Sequence, residues 1–438
     1  MRREPVVFGI DHARAPIALR ERIAFRSDEL PAGLAALAHA VDEGLILSTC
    51  NRTEIYAVID RDRSVAAVRQ LIAESRRVAP GTLDQAAHVY RGAEAARHLF
   101  KVAGGLESMV LGEPQILGQL REALAAARAA GVAHAGITRL ATDALRAGKR
   151  VRTETGLARN RLSIPHAAIA LASGQVTNGL RGRAALVIGA GKMAALAAKL
   201  LRREGVAELF IANRTLARGE ALAARVAGVA VPLAAIPGLL NRVDFVVGAT
   251  ASPSHVIAAA ISGAALGERQ TPLLLIDLGV PRTIDPALGE LPLVRLRDVD
   301  DLEPVAAAER RRADADILEA TIIIEEAVAG FVEWWQARPA TPAIASLQRR
   351  AETIRAEELE RALRKLGHLS DRDREVVKAL SVGIVNKLLH QPVTRLRQAA
   401  GDDPAIGTVV ELFGGDRGAI ASFASEPAAA VAVGDLPG

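Results

Sequence analysis

The sequence of 438 residues holds one cysteine, Cys50. A single thiol cannot form an internal disulfide, and it cannot build a cysteine-cluster metal site. Aromatic residues make up only 3% of a chain that is 50% hydrophobic. That composition favours helices and α/β layers over an aromatic-rich β-sandwich, and it is not the composition of a disordered chain. There is no long basic block and no aromatic–basic RNA motif; a net charge of +5 over this length permits an acidic partner such as RNA without demanding one. Long apolar runs are also missing. Ala184 to Ala190 and Leu273 to Gly279 are too short to span a bilayer and read as buried strands. Met1-Arg2-Arg3-Glu4-Pro5 leads straight into strand-like Val6 to Ile10, without the apolar core of a signal peptide. A soluble cytoplasmic protein is expected, and a lone free thiol fits a reducing compartment. His88, His134 and His166 have no metal-ligand partners at recognisable spacing, so no metal is expected.

The length exceeds what one core supports and implies two or three domains. Up to about residue 150, short strands (Val6–Ile10, Gly44–Ser48, Glu54–Ile59) alternate with helices (Leu30–Asp42, Ser64–Arg77, Ala93–Ala103, Ile116–Ala130). The joint from Gly104 to Gln115 is glycine-punctuated, partly apolar and carries Ser108, Glu107, Glu113 and Gln115. From about 160 to 300, the apolar runs Ala184–Ile188, Glu208–Ala212, Asp244–Gly248 and Leu273–Asp277 alternate with helical stretches. That pattern predicts a parallel sheet covered by helices. Val305–Ala337 has no proline and one glycine, Gly330, and is expected as one long helix ended by Pro339 and Pro342. Residues 343–413 read as amphipathic helices suited to oligomerisation. The Ala/Pro/Gly-rich end, Ser425 to Gly438, reads as a disordered tail.

Two segments point to chemistry. Cys50 follows the apolar run Gly44 to Leu47 and precedes four polar residues, Asn51 to Glu54. A thiol at a strand end beside an arginine is placed like a nucleophile, and equally a lone cysteine can be core filler; spacing does not report a thiol pKa. Ala184 to Ala194 is a strand running into G-x-G-x-x-A (Gly189, Ala190, Gly191, Lys192, Met193, Ala194) and a helix, the arrangement that receives a dinucleotide pyrophosphate on a helix N-terminus. The second strand ends at Asn213-Arg214-Thr215, beginning 24 positions past Gly189, where an NAD enzyme would carry a ribose-binding carboxylate. Arg214 can pair with a 2′-phosphate and Asn213 and Thr215 can donate to it, which favours NADPH over NADH. His98, on a predicted helix, reads on its own terms as a packed or surface residue rather than a catalyst.

Taken together, the chain resembles the glutamyl-tRNA reductases over nearly its whole length. The resemblance is carried by Gly9-Ile10-Asp11-His12 with Leu19-Arg20-Glu21, by Ser48 through Tyr56, and by Gly105 through Gln119. It continues in Arg150 through Thr155, Asp277-Leu278-Gly279-Val280-Pro281-Arg282, Asp298 through Leu302 and Asn386-Lys387-Leu388-Leu389-His390. Asp11 and Glu107 depart from the residues many relatives carry there, without touching a nucleophile or cofactor contact.

The resemblance implies an α/β multidomain fold forming a V-shaped homodimer. Its parts would be an α+β catalytic, glutamyl-tRNA-binding domain (1–155), a Rossmann-type NADPH domain (156–300), a spinal helix (301–340) and a helical dimerisation domain (341–415), with 416–438 as tail. It implies that Cys50 attacks the glutamyl ester of the tRNA, that the resulting thioester is reduced with NADPH to glutamate-1-semialdehyde, and that this is the first step of tetrapyrrole biosynthesis. Thr49, Asn51 and Arg52, then Ser108, Glu113, Pro114, Gln115 and Gln119, match the substrate-binding segments; His98 matches a histidine needed for activity; Gly189 to Ala194 match the NADP loop. The NADPH domain has to reach Cys50, and hand-off of the aldehyde to glutamate-1-semialdehyde aminomutase is implied as a partnership. Two other readings stay open: a plain NADP-dependent oxidoreductase with Cys50 as bystander, and a tRNA- or partner-binding protein whose nucleotide site is regulatory.

Overall fold

The computed structural model describes residues 3–60, 65–113, 115–158, 163–176, 179–250, 252, 254–260, 266, 269–338 and 340–398. The N-terminal unit contains β1 (Arg3–Asp11), α1 (Ile17–Ile23), α2 (Leu30–Ala40), β2 (Glu43–Ser48), β3 (Arg52–Asp60), α3 (Ala66–Arg76), α4 (Pro80–Ala86), β4 (Ala87–Arg91), α5 (Ala93–Ala103), α6 (Gln115–Ala129) and α7 (Ala135–Glu154). Its strands form an antiparallel sheet in the order β2-β3-β1-β4. β1 and β3 are buried along almost their whole length, so both faces of the sheet are covered and their sequences read as apolar runs rather than alternations. The edge strand β4, Ala-His-Val-Tyr-Arg, has no such run, which is why the sequence did not announce it.

The second unit contains α8 (Ile164–Gln175), β5 (Ala184–Ile188), α9 (Lys192–Arg203), β6 (Glu208–Ala212), α10 (Leu216–Arg225), β7 (Val229–Val231), α11 (Ile236–Leu239), β8 (Phe245–Gly248), β9 (Leu273–Asp277) and β10 (Val294–Asp298). All strand pairs are parallel, in the order β10-β9-β8-β5-β6-β7. This is the doubly wound order of dinucleotide-binding sheets, with the reversal between β5 and β8. The strands expected at 184–188, 208–212 and 273–277 appear with those bounds. The edge strands β7 and β10 were not foreseen; β10, Val-Arg-Leu-Arg-Asp, has an exposed or half-exposed position at every residue after the first.

The C-terminal part is helical: α12 (Glu303–Arg312), α13 (Asp314–Ala337), α14 (Ala340–Lys365) and α15 (Asp371–Gln398). The single helix expected over 305–337 is interrupted at Ala313, whose φ of −103° and ψ of 15° leave the helical range. No proline or glycine marks the break. The two flanking turns are instead tied to different parts of the N-terminal unit. Arg310 donates to the carbonyls of Leu106 (3.2 Å) and Ser108 (2.9 Å), while Asp316 accepts from the Gly156 N–H at 3.1 Å. Pro342 falls in the first turn of α14, where its missing N–H costs nothing. Pro339, and everything from 399 on including the expected tail, lie outside the described residues. α13 contributes Ala320, Ile323, Ile324, Val328 and Phe331 to the N-terminal core, and Arg97–Glu325 (2.7 Å) and Arg338–Glu43 (2.8 Å) rivet it there. No described helix is long and apolar enough to cross a membrane.

Candidate active site

Cys50 sits at the tip of the β2–β3 hairpin. The strands pair up to Ser48 and Thr53, and the Thr49 N–H closes on the Arg52 carbonyl at 2.8 Å, leaving Cys50 and Asn51 as the two corner residues. The Thr49 hydroxyl accepts from the N–H groups of Asn51 and Arg52, both at 3.2 Å, the local bond a threonine offers at a turn entry. The His12 N–H donates to the Asn51 carbonyl (2.8 Å), and the Arg20 guanidinium donates to the Cys50 carbonyl (2.9 Å) and reaches Asn51 Oδ1 (3.5 Å). The backbone bearing the thiol is thus held from several sides. The half-buried thiol packs against an apolar cluster in which Ile17, Met109 and Val110 of the N-terminal unit join the core of the second unit.

Burial pushes the Cys50 thiol up to about 12, and the Glu113 carboxylate adds to the rise; Arg20 and Arg52 oppose it. Glu113 is itself raised to about 7 by burial, with Arg52 partly offsetting. His12 is lowered to about 4, first by burial and then by Arg52, so its ring is neutral at physiological pH, with a buried Nδ1 that has no partner. The resting site therefore holds a protonated thiol, a carboxyl poised near neutrality and a neutral imidazole under two guanidiniums.

Behind the turn, β3 points Arg52, Glu54 and Tyr56 to one face, as the two-residue period requires. Arg52 Nη1 donates to Glu54 Oε1 at 2.7 Å, its Nη2 donates to the Glu107 carbonyl, and Tyr56 donates to Glu54 Oε2 at 2.6 Å. His98 Nε2 meets Glu54 Oε1 at 2.8 Å and His88 Nε2 lies 3.6 Å from it. Burial alone would raise Glu54, but Arg52, His98 and His88 hold it well below the usual carboxylate range. The cluster exists because Gly9 separates Glu54 from His88 across the sheet: a Cβ there would lie 2.5 Å from His88 Nε2 and 2.7 Å from Glu54 Cγ. Glu54, His88 and His98 bring ligand atoms within 4.8 Å of one another, a spacing a metal could use. The Arg52 guanidinium already on Glu54 makes the group an ion-pair network instead. His88, which spacing left without partners, lies 3.6 Å from Glu54 on β3 and 3.5 Å from Asp11 on β1, with no hydrogen bond at either ring nitrogen. Among the described residues no hydrogen bond joins His98 to the Cys50 thiol.

The glycine-punctuated joint closes over this network. Ser108 and Glu113 are buried, and the Ser108 carbonyl is held by Arg310. Gln115 opens α6 and its Nε2 donates to Met193 Sδ at 3.0 Å, which links the joint to the first turn of α9. Gln119, one turn on, is half-buried, and Pro114 lies outside the described residues. A groove of about 510 Å³ opens elsewhere, between α13 and α14 around Trp334 and Ile344, and holds none of this chemistry.

The phosphate loop can receive a dinucleotide. Gly189 has φ of +115° and its absent Cβ would sit 2.5 Å from the Ala249 carbonyl, so only glycine makes this turn. Open space lies over Gly191, and α9 begins there without a side-chain cap, its first N–H groups available to an anion. Ala190, Lys192 and Met193 line the loop and Ala194 is fully buried against the sheet. Asn213, Arg214 and Thr215 follow β6, adjacent to the loop through the Gly189 N–H to Ala212 carbonyl bond (2.8 Å). Asn213 spends its amide on the Thr215 carbonyl (2.8 Å), while Arg214 is exposed and open to a 2′-phosphate.

Arg20, Glu54 and His12 lie in segments that carry the resemblance, but the sequence assigned them no role. The period-two relation of Glu54 to Arg52 could have found one of them; Arg20 and His12 reach the turn through tertiary contacts alone.

Comparison with known proteins accounts for the chain in three blocks. The profile of "Glutamyl-tRNAGlu reductase, N-terminal domain" matches residues 8–155, "Shikimate / quinate 5-dehydrogenase" residues 170–305, and "Glutamyl-tRNAGlu reductase, dimerisation domain" residues 319–415. A glutamyl-tRNA reductase of Roseiflexus sp. (strain RS-1) is 42% identical over 420 residues, 96% of this chain and 99% of the relative. One from Rubrobacter xylanophilus is 43% identical over 400 residues, 90% of this chain and 92% of the relative. Among solved structures, glutamyl-tRNA reductase from Methanopyrus kandleri aligns over 90% of this chain and 98% of its own, with 32% identity and a TM-score of 0.44.

Proposed function

This chain belongs to the glutamyl-tRNA reductase family, and from that premise we propose that it reduces glutamyl-tRNA(Glu) to glutamate-1-semialdehyde with NADPH through a thioester on Cys50. Family membership makes it an oxidoreductase at the entry to tetrapyrrole synthesis, with a C-terminal dimerisation domain. The observation that carries the finer reading is the seat of the sole cysteine: a fixed hairpin tip packed against the apolar cluster that the N-terminal unit shares with the dinucleotide-binding unit.

In the first half-reaction the Cys50 sulfur bonds the glutamyl carbonyl carbon, the ester bond to the terminal ribose breaks, and the thiol proton ends on the departing ribose oxygen. This splits one hard step into two easier ones. The proton needs a carrier, because the resting thiol is raised to about 12; His12, neutral and unpartnered at Nδ1, and Glu113, near neutrality, are the groups disposed to handle it. Arg52, with two nitrogens already engaged, contributes positive charge beside the sulfur and the glutamyl carboxylate rather than a free fork. Thr49, Asn51, Ser108, Gln115 and Gln119 shape the walls of the substrate site. His98 acts through Glu54 and Arg52, whose charge and orientation it fixes. Gly189 to Ala194 would hold NADPH, with Arg214 at its 2′-phosphate, and the cofactor would there supply the hydride for reduction of the thioester to the aldehyde; Cys50 would leave as thiolate and regain a proton. The aldehyde is reactive, so direct hand-off to the aminomutase that consumes it is the partnership we propose. A cytoplasmic location fits both tRNA and NADPH.

The test is NADPH oxidation driven by charged glutamyl-tRNA, with uncharged tRNA as control. Cys50→Ser should lose the reaction almost completely while keeping NADPH binding; turnover that survives the substitution makes Cys50 a bystander and refutes the thioester.

A further inference from the structure

The thiol and the phosphate loop lie on separate units, so what fixes the two units together also sets the distance between them. That junction is built on α1. Ile17 at its start belongs to the core of the dinucleotide unit, whereas Ile23 at its end belongs to the N-terminal core. Two ion pairs flank the crossing. Glu21 receives the Arg282 side chain at 3.1, 3.1 and 2.9 Å, and also accepts from the Arg282 backbone N–H. Asp300 accepts from the Ile17 N–H at 3.2 Å and from the Arg20 guanidinium.

Each partner is held in place on its own side. Arg282 rides on the loop after β9, and Asp277 closes that loop by accepting from the Gly279 N–H (2.9 Å) and the Ile284 N–H (2.8 Å). The loop stands at the carboxyl edge of the parallel sheet, the edge from which the phosphate loop also emerges. Asp300 stands two residues past β10 of the same sheet. On the other side, Arg20 has a side chain only 2% exposed and spends its remaining nitrogens on the Ala15 carbonyl (3.1 Å) and the Cys50 carbonyl (2.9 Å). One guanidinium therefore touches both the Cys50 turn and the opposite unit.

We propose that α1 is the docking element that joins the two units in register for reduction, with Glu21–Arg282 as its clamp. This rests on the reaction proposed above. A geometry requirement of this kind bears on the step that needs both units, not on acylation of Cys50, which needs one. Glu21 and Arg282 touch neither the thiol nor the phosphate loop.

The experiment uses the full-length protein and four chains: wild type, Glu21→Arg, Arg282→Glu, and the double reversal. Acylation is read without NADPH as burst release of tRNA with trapping of the Cys50 thioester; reduction is read as aldehyde formed in single turnover; docking is read by small-angle scattering. Each single reversal should slow reduction at least about tenfold, leave the acylation burst within about twofold, and enlarge the particle, because a like-charge pair opposes docking. The double reversal should restore all three. If a reversal fails to fold, Glu21→Gln and Arg282→Gln carry the same comparison with smaller effects. Unchanged reduction, or acylation falling in step with reduction, or no recovery in the double reversal overturns the proposal. A wild type that forms no aldehyde from glutamyl-tRNA refutes the reaction instead, and the scattering comparison still decides the docking role.

Discussion

Replacing Glu113 by Gln tests the electrostatics of the site in two independent ways. Glu113 is 9% exposed and its carboxyl is raised from 4.5 to about 7, chiefly by burial. The folded chain therefore holds this proton more tightly than the unfolded chain does. Below about 4.5 both states are protonated and there is no penalty. As pH climbs from there through 7, the unfolded state ionises first and stability is lost, levelling off above the folded value. The gap corresponds to about 3 kcal/mol at pH 8, taking 1.36 kcal/mol per unit. Glu113→Gln keeps the shape and removes the titration. Urea melts at pH 5 and pH 8 should show the wild type losing up to about 2.5 kcal/mol more than the variant between them, because part of the penalty is already present at pH 5. Asp277, raised to about 6 by burial, titrates in both chains and cancels. The second readout is the thiol. The Glu113 charge raises Cys50, so the variant should alkylate faster with iodoacetamide at pH 8, and the difference should shrink at pH 6, where the wild-type carboxyl is mostly neutral. Because Cys50 is the only cysteine, labelling reports one site. Parallel pH–stability curves together with equal alkylation rates at pH 8 would refute the reasoning.

Three further outcomes follow from particular contacts. Gly9→Ala places a methyl group against His88 and the Glu54 stem, and should cost about 1–3 kcal/mol in urea melts and lower the acylation rate; an unperturbed melt means that the cluster has slack. Arg214→Gln should raise the KM for NADPH while leaving that for NADH nearly unchanged, since only the 2′-phosphate distinguishes them; an equal effect on both cofactors removes Arg214 from the phosphate contact. On α15, Val376, Leu380, Ile384 and Leu388 recur at four-residue intervals and are 62, 62, 50 and 69% exposed. Leu380→Glu with Leu388→Glu should shift the protein from dimer to monomer in sedimentation, and a dimer that persists places the interface elsewhere.

The parallel sheet was legible because its central strands are short apolar runs with nothing polar to confuse them, and because Gly189 answers a backbone demand that no other residue meets. The hairpin turn was legible in part: Thr49 before Cys50 and Asn51 is a turn entry, and the apolar run before it is a strand. What the sequence hid is what arrives from a distance. Arg20 is thirty residues from the carbonyl it holds and 280 from the carboxylate it pairs with. His88 looks isolated until Gly9 lets Glu54 reach it across the sheet. The break at Ala313 has no local signature, because the contacts that fix its two sides lie on the N-terminal unit.

The same division bears on how the site works. The residues that local pattern picked out, Cys50 and the phosphate loop, are those whose chemistry is intrinsic: a thiol and a glycine cradle. The residues around them modify those groups through charge and position. Glu113 and burial raise the thiol, Arg20 and Arg52 pull it down, and His98 with Tyr56 and His88 fixes the carboxylate on which Arg52 leans. A thiol raised to about 12 at rest is shielded from oxidants and stray electrophiles. It becomes a nucleophile only if substrate binding supplies a proton acceptor or changes the balance of charge around it. Neutralising Glu113 is one way to change that balance, and the approach of a substrate ammonium to its carboxylate is another. The ammonium would offset the negative charge that Glu113 directs at the sulfur, so binding of the correct aminoacyl group and activation of Cys50 would be one event.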